Sequence, residues 1–470
     1  MTRRLALAAG PLALAVTLLV PAPGALSVPS WQVAGLAVWM ATWWLSGVVP
    51  LPATALLPLV VLPIVGISGI AEVARPYADP VIFLFLGGFL LAVTLERWDL
   101  HRRFATATLG LVGTSPRRMV LAFLLASAFA SMWISNTATA VMMLPIAAAV
   151  AGQRDGGLQT AVMLAVAYGA SIGGVTTLIG TPPNAIFAAN ALELIGEEIT
   201  FAGWLPVGLA VAIPMLAGCW VLLVWMFGVG GARHAGTAEQ VGAEGQPAAG
   251  LAPGERFVLG VFAGTVLAWV MRTPKEIGSL RIPGLTDVVP GISDAGIAIA
   301  AAVVLLTVPL PRARFRVALD WQTARGIPWG ILLLFGGGLA LAGSFQSSGL
   351  SEWVGGRLQV LEGLPLPAVV AATTTLFVFL TELTSNTATA AIGMPLMVGV
   401  AGGLNVAPLP VMAAAALASS MAFMLPVATP PNAIVFGKGQ IKIGEMARAG
   451  IVLNLMAILT ISVVVSVMLG

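Results

Sequence analysis

Ser135-Asn136-Thr137-Ala138-Thr139-Ala140 lies in a run from Met119 to Gln153 that carries no charged residue. The same six residues return at Ser385 to Ala390, 250 positions later (385 − 135). A second motif, Gly180-Thr181-Pro182-Pro183-Asn184-Ala185-Ile186, is answered by Ala428-Thr429-Pro430-Pro431-Asn432-Ala433-Ile434 at an offset of 248 (432 − 184). The chemistry open to these residues is ion binding without fixed charge. Ser and Thr hydroxyls, the Asn amide oxygen and carbonyls freed by unwound helix are neutral oxygens, which suit a hard cation such as sodium. Helix N-termini at a break offer partial positive charge and free N–H groups to a carboxylate. Two such half-sites facing each other suit a ligand with two anionic ends, or a compact divalent anion. Ser135 or Ser385 as the nucleophile of an intramembrane hydrolase is disfavoured, because the motif stretches hold no His, Lys or Asp base.

A weaker third pair, Leu86-Gly87-Gly88 against Phe335-Gly336-Gly337, precedes the others at an offset of 249 (336 − 87). Three landmarks in one order at nearly one spacing mean an internal duplication. Composition supplies the setting. Hydrophobic residues make up 59% of the 470, charged residues 9%, and mean hydropathy is +0.99. Soluble domains carry roughly a quarter charged residues. Apolar runs long enough for a bilayer core of about 30 Å recur throughout, which predicts an all-α polytopic protein of the cell membrane, in bacteria the inner membrane. A net charge of +3 gives no reason to expect a nucleic-acid partner. Cys219 is the only cysteine, so no disulfide or cysteine metal cluster is expected.

Taken in order, Arg3-Arg4 and the apolar Leu5 to Val20 have the form of a signal peptide with Pro21 to Ala25 as its cleavage region. The spans that follow directly favour an uncleaved first span with its arginines inside. Residues 31–49, 53–68 and 80–95 read as the next three spans. Arg118 to Ile134 and Thr139 to Ala151 would reach only about 26 and 20 Å as helices. With Arg117, Arg118 and Arg154 at both ends, 118–151 reads as a re-entrant hairpin from the cytoplasmic side, Ser-Asn-Thr at its tip. The alternative is one straight helix with its hydroxyls bonded to its own carbonyls. Residues 160–192 are too long for one span and are interrupted at Gly173-Gly174 and Gly180 to Pro183, a broken helix. Residues 204–227 close a first repeat, 1–229. Residues 230–255, polar and rich in Gly and Ala, read as a mobile cytoplasmic linker. The second repeat, 256–470, has spans at 257–271, 296–308, 328–344 and 451–469 and a polar loop at 273–293. Its hairpin is 367–402 and its broken helix 411–436. The flanks of that hairpin are poor in basic residues, which fits entry from outside and hence inverted topology.

Met119–Gln153 and Gly156–Leu192 contain no charged residue, and Pro365–Gly437 contains only Glu382. No fixed cation is therefore at hand to neutralise a dianion, and an unpaired charge at mid-membrane is costly. Bound sodium is the natural compensating charge, which argues for obligatory coupling.

The two Ser-Asn-Thr tips and two Thr-Pro-Pro-Asn-Ala breaks resemble those of the divalent anion/sodium symporter family, transporters of dicarboxylates, citrate and sulfate, over nearly the whole chain. The resemblance implies about eleven spans with two hairpins, a homodimer built through a scaffold domain, and a transport domain that moves as an elevator. It implies sodium as coupling ion and no other cofactor. Carried over residue by residue, it assigns a first sodium site to Ser131, Ser135, Asn136 and Gly180. The second falls to Thr381, Thr384, Asn386 and Ala428, the last through its carbonyl. Some relatives have no hydroxyl at the position of Thr384, which leaves its backbone oxygen as ligand. Substrate contacts fall on Ser135, Asn136, Thr137, Thr181, Ser385, Asn386, Thr387 and Thr429, with Pro182 and Pro430 shaping the pocket. A C4-dicarboxylate such as succinate leads among substrates; sulfate, citrate, and a sodium-independent exchanger or uniporter are the alternatives.

Other residues carry plainer expectations. Glu382 is either a proton or sodium ligand or an outward-facing residue paired with a polar neighbour. Gly87-Gly88 and Gly336 to Gly338 read as close helix packing, Tyr168 and the tryptophans as packing or interface anchors, and His101 as a loop residue.

Overall fold

The computed structural model describes residues 3–24, 26–113, 115–151, 156–230, 250–277, 280–310, 313–358, 363–439 and 441–470. Most of the expected linker, together with Arg154, lies outside them. The described chain is almost entirely helical. The first part holds α1 (Arg3–Leu19), α2 (Val28–Ser46), α3 (Leu51–Thr54), α4 (Leu57–Ile64), α5 (Ile70–Ala74), α6 (Pro80–Arg97) and α7 (Leu100–Val112). Next come α8 (Pro116–Ser131), α9 (Asn136–Ala151), α10 (Gly156–Gly174), α11 (Pro182–Ile195) and α12 (Phe201–Met226). The remainder holds α13 (Pro253–Val270), α14 (Asp294–Thr307), α15 (Trp321–Ala324), α16 (Trp329–Ser348), α17 (Leu350–Leu358), α18 (Leu366–Leu383), α19 (Asn386–Gly403), α20 (Pro408–Ala418), α21 (Pro430–Phe436) and α22 (Ile443–Met468). Among the described residues, six stretches are long and apolar enough to cross a membrane: Ile70–Arg97, Gly156–Gly174, Phe201–Met226, Trp329–Ser348, Leu366–Leu383 and Ile443–Met468.

Three expectations need correction. His101, expected in a loop, lies in α7. The third span, 53–68, is divided into α3 and α4. Pro50, Pro52, Pro58 and Pro63 remove donors along it, and Gly66 turns the chain at φ 76°. The Ala55 carbonyl freed at the division accepts the Tyr77 hydroxyl at 2.5 Å. The polar loop at 273–293 contains a short antiparallel ribbon, β1 (Lys275–Ile277) on β2 (Leu280–Ile282), with Glu276 opposite Arg281.

The helix interruptions have a local cause. The ring of a proline disfavours the helical region for the residue before it. Thr181 (φ −145°, ψ 141°) and Thr429 (φ −137°, ψ 149°) are accordingly extended, each followed by two prolines that start the next helix. The chain is non-helical at 175–181, and again from the end of α20 to Thr429. Between α8 and α9 the chain turns at 132–135, and between α18 and α19 it turns at Thr384-Ser385.

Packing around these interruptions is reciprocal. Helix α10 packs against α8 and α9, as α20 does against α18 and α19. Across the halves, α11 packs on α19 and α20, while α21 packs on α9 and α10. Small residues permit the close approach. A Cβ on Gly173 would enter the backbone of Ala128, and one on Gly169 would lie 2.6 Å from Leu124 O. The paired glycines of α6 and α16 behave alike. A Cβ on Gly87 would collide with Ala298, and one on Gly337 with Ala55, so close packing accounts for both pairs.

Candidate ion and anion half-sites

At the first tip, Ser131 and Asn136 end one helix and begin the next. The Ser131 hydroxyl donates to Asn136 Oδ1 at 2.7 Å. A Cβ on Gly174 would lie 2.5 Å from the same Oδ1, and one on Gly180 would lie 3.0 Å from Ser131 O and run into Gly174 O. Ser131, Asn136, Gly174 and Gly180 thus meet in one cluster of neutral oxygens, with glycine required where backbones touch. Ser135 Oγ accepts from Ala138 N at 3.2 Å and so caps α9, and Thr139 N donates to Ser135 O at 2.9 Å.

The second tip repeats the arrangement. The Thr381 hydroxyl lies 2.8 Å from Asn386 Oδ1 and 2.7 Å from Ser419 O. One hydroxyl hydrogen cannot serve two acceptors fully, so three oxygens share too few protons. That donor set is the one a hard cation satisfies. Thr384 departs from the set: its hydroxyl donates to Leu380 O at 2.7 Å and lies 2.6 Å from Thr389 Oγ1. These contacts engage its hydroxyl within its own helix and with Thr389, and the ligand the resemblance assigns is its backbone oxygen. Ala428 is buried, its N–H donating to Leu425 O at 3.2 Å.

The amide NH2 groups of Asn136 and Asn386 make no hydrogen bond among the described residues, while both amide oxygens face hydroxyls. Thr137 is exposed, and Ser385 and Thr387 are partly so. Thr181 and Thr429 are buried at the starts of α11 and α21. Thr429 Oγ1 accepts from Asn432 N at 3.3 Å, whereas Thr181 Oγ1 lies 3.4 Å from Ser420 Oγ, so the two breaks touch across the halves. Pro182 and Pro430 follow directly.

Several residues that hold the site lie outside the predicted set. Asn184 donates to Val175 O at 3.0 Å and Thr177 O at 2.8 Å. Asn432 does the same to Ala422 O at 3.2 Å and Leu425 O at 3.1 Å. The asparagine of each Thr-Pro-Pro-Asn-Ala is therefore a latch that satisfies carbonyls of the unwound segment. Thr177 ties break to tip, donating to Met132 O at 2.6 Å and accepting from Gly180 N at 3.1 Å. The repetition of Asn184 and Asn432 within the motif was the available signal. Glu382 is not outward-facing: it is 3% exposed and buried against the second break. Tyr168 is fully buried in packing, its hydroxyl donating to Phe423 O at 2.9 Å.

Broken helices meeting across a duplicated, multi-pass membrane fold, with hydroxyl, amide and carbonyl oxygens gathered at the breaks, are the architecture of a transporter. Residues 2–469 match the family described as the sodium:sulfate symporter transmembrane region. The chain belongs to this divalent anion/sodium symporter family. It is 38% identical to a sodium-dependent dicarboxylate transporter, SdcS, of Staphylococcus saprophyticus, over 97% of this chain and 89% of that one. SdcS of Staphylococcus aureus is 37% identical over the same shares. The crystal structure of the YdaH transporter of Alcanivorax borkumensis shares the fold, with a TM-score of 0.59 over 93% of this chain and 98% of that one at 15% identity.

Proposed function

We propose that the protein is a sodium-coupled symporter of a divalent organic anion, a C4-dicarboxylate such as succinate. The observation that carries this reading is the orientation of Asn136 and Asn386. Each turns its oxygen toward the hydroxyl of an oxygen cluster, and its NH2 makes no hydrogen bond among the described residues. An amide so placed can give oxygen to a cation and hydrogens to a carboxylate at once. In this reading Ser131, Ser135, Asn136 and Gly180 hold one sodium ion. Thr381, the Thr384 backbone, Asn386 and Ala428 hold another. The anion lies between, on Ser135, Asn136, Thr137, Thr181, Ser385, Asn386, Thr387 and Thr429, with Pro182 and Pro430 as walls. Relatives whose names specify sodium-dependent dicarboxylate transport support the choice of ion and substrate.

The remaining parts of the reading are architectural. The segments 118–151 and 367–402 act as re-entrant hairpins entering from opposite sides, and the reciprocal packing of α11 and α21 supports an inverted repeat. Transport proceeds by an elevator movement of the domain holding both half-sites against a scaffold, within a homodimer. Uptake of succinate, citrate and sulfate by purified protein in liposomes tests the substrate. Uptake of sulfate with exclusion of succinate would reject the dicarboxylate reading.

A further inference from the structure

Glu382 is the only charged residue between Pro365 and Gly437, and it sits beside Thr381 at the second tip. The equivalent position in the first repeat, 250 residues earlier, is Met132. Glu382 Oε1 accepts from Phe423 N at 2.7 Å, Met424 N at 2.8 Å and Asn454 Nδ2 at 2.8 Å, and Oε2 accepts from Leu425 N at 3.1 Å. All four partners are N–H donors, which is the setting of an ionised carboxylate; three successive backbone N–H groups form an anion nest around it. No ion pair to Glu382 forms among the described residues. Asn454 brings α22 to the cluster, and a Cβ on Gly450 of the same helix would enter the backbone at Phe423 and Met424. Tyr168 closes it from α10.

We propose that Glu382 is the positioning residue of the second half-site: its oxygens hold the unwound 423–425 backbone, and its charge makes that half-site the tighter of the two for a cation. This rests on the reading of the tips as sodium sites. The physical case is the asymmetry. The first tip is neutral from Met119 to Gln153 and uses the Met132 carbonyl, bonded to Thr177, where the second uses a carboxylate. A full negative charge one residue from Thr381, in poorly hydrated surroundings, acts on a cation several times more strongly than it would in water. The N–H nest fixes the carboxylate without neutralising its net charge. The same charge opposes a dianion until the cation is in place. Glutamine cannot replace it evenly, because its NH2 would face either Leu425 N–H or the three donors on Oε1. Aspartate keeps the charge at the expense of reach.

The test is thermal unfolding of the purified full-length protein without substrate, titrated with sodium chloride against choline chloride at constant ionic strength. The wild-type Tm should rise with sodium. Glu382→Gln should need at least tenfold more sodium for half of that rise. Asn454→Ala, which removes one donor and no charge, should lower Tm throughout yet stay within threefold of wild type in its sodium dependence, as should Glu382→Asp. If Glu382→Gln does not fold, the aspartate variant decides alone. A shift below threefold in Glu382→Gln, or one of tenfold in Glu382→Asp, overturns the proposal. A wild-type protein whose Tm ignores sodium would instead remove the reading of the half-sites on which it rests.

Discussion

The hydroxyl of Thr381 lies 2.8 Å from Oδ1 of Asn386, across the turn that separates α18 from α19. Ser131 and Asn136 stand in the same relation at 2.7 Å, 250 residues earlier. A contact repeated between residue pairs of different type, Thr in one and Ser in the other, points to the hydroxyl oxygen as the feature both tips require. Its consequence is that each Asn presents oxygen on one side and hydrogens on the other.

Replacing that amide tests the arrangement. Asn136→Asp and Asn386→Asp keep shape and oxygens, lose both donors, and set a negative charge against an anion in a poorly hydrated site. Each should abolish dianion uptake in protein that still folds. Thr137→Ala and Thr387→Ala remove one hydrogen bond each, about 1 kcal/mol, and should raise the substrate concentration for half-maximal uptake roughly fivefold. Wild-type kinetics in both aspartate variants would make the tips structural.

The hydroxyls of the two clusters should differ from that of Thr384. Ser131→Ala and Thr381→Ala are expected to raise the sodium concentration for half-maximal uptake several-fold. Thr384→Ala, whose hydroxyl serves Leu380 O and Thr389, should leave sodium dependence unchanged and reduce stability by about 1 kcal/mol. A sodium shift in Thr384→Ala equal to that in Thr381→Ala would return its side chain to the ligand set.

Glycine at 180 is a requirement of space. Its added Cβ would run into Gly174 O and lie 3.0 Å from Ser131 O, so Gly180→Ala should cost about 1–3 kcal/mol through backbone displacement and impair sodium-dependent uptake. The second repeat already carries alanine there, and Ala428→Gly should be tolerated. Full activity in Gly180→Ala would show that these carbonyls do not define an ion site.

The proposed entry of the two hairpins from opposite sides predicts opposite labelling. A single cysteine at Gly156 should react with impermeant reagents from the cytoplasm and one at Gly402 from outside, in a Cys219→Ala background. Both glycines have open space where the new side chain would go, whereas their neighbours Gly157 and Gly403 abut the backbone of Phe227 and Gly355. Labelling of both from one side would remove the inverted repeat.

What could be read from the chain follows its physics. The duplicated Thr-Pro-Pro-Asn-Ala motifs marked two interruptions because paired prolines disfavour helix at the residue before them and remove two donors in series, and the repetition of Ser-Asn-Thr marked the two turns. The spans at 80–95 and 204–227 appear as α6 and α12, since long apolar runs leave few alternatives to helix. The division of 53–68 was missed although its prolines were in view, because an apolar run of that length also fits a span. The repeated Asn184 and Asn432 were in view, but the carbonyls they latch, the Ser419 carbonyl beside Thr381, and the nest around Glu382 were not legible. These contacts are to backbone groups, and which carbonyl or N–H lies within reach is set by the path of the unwound chain, not by residue type.

We propose that two half-sites lacking a fixed cation need sodium to hold a dianion. It is tested most directly by succinate uptake into liposomes containing the purified protein, with an inward sodium gradient or with potassium or choline in its place. Uptake is expected only with sodium, accompanied by net positive charge moving inward. Equal uptake in potassium or choline would contradict it.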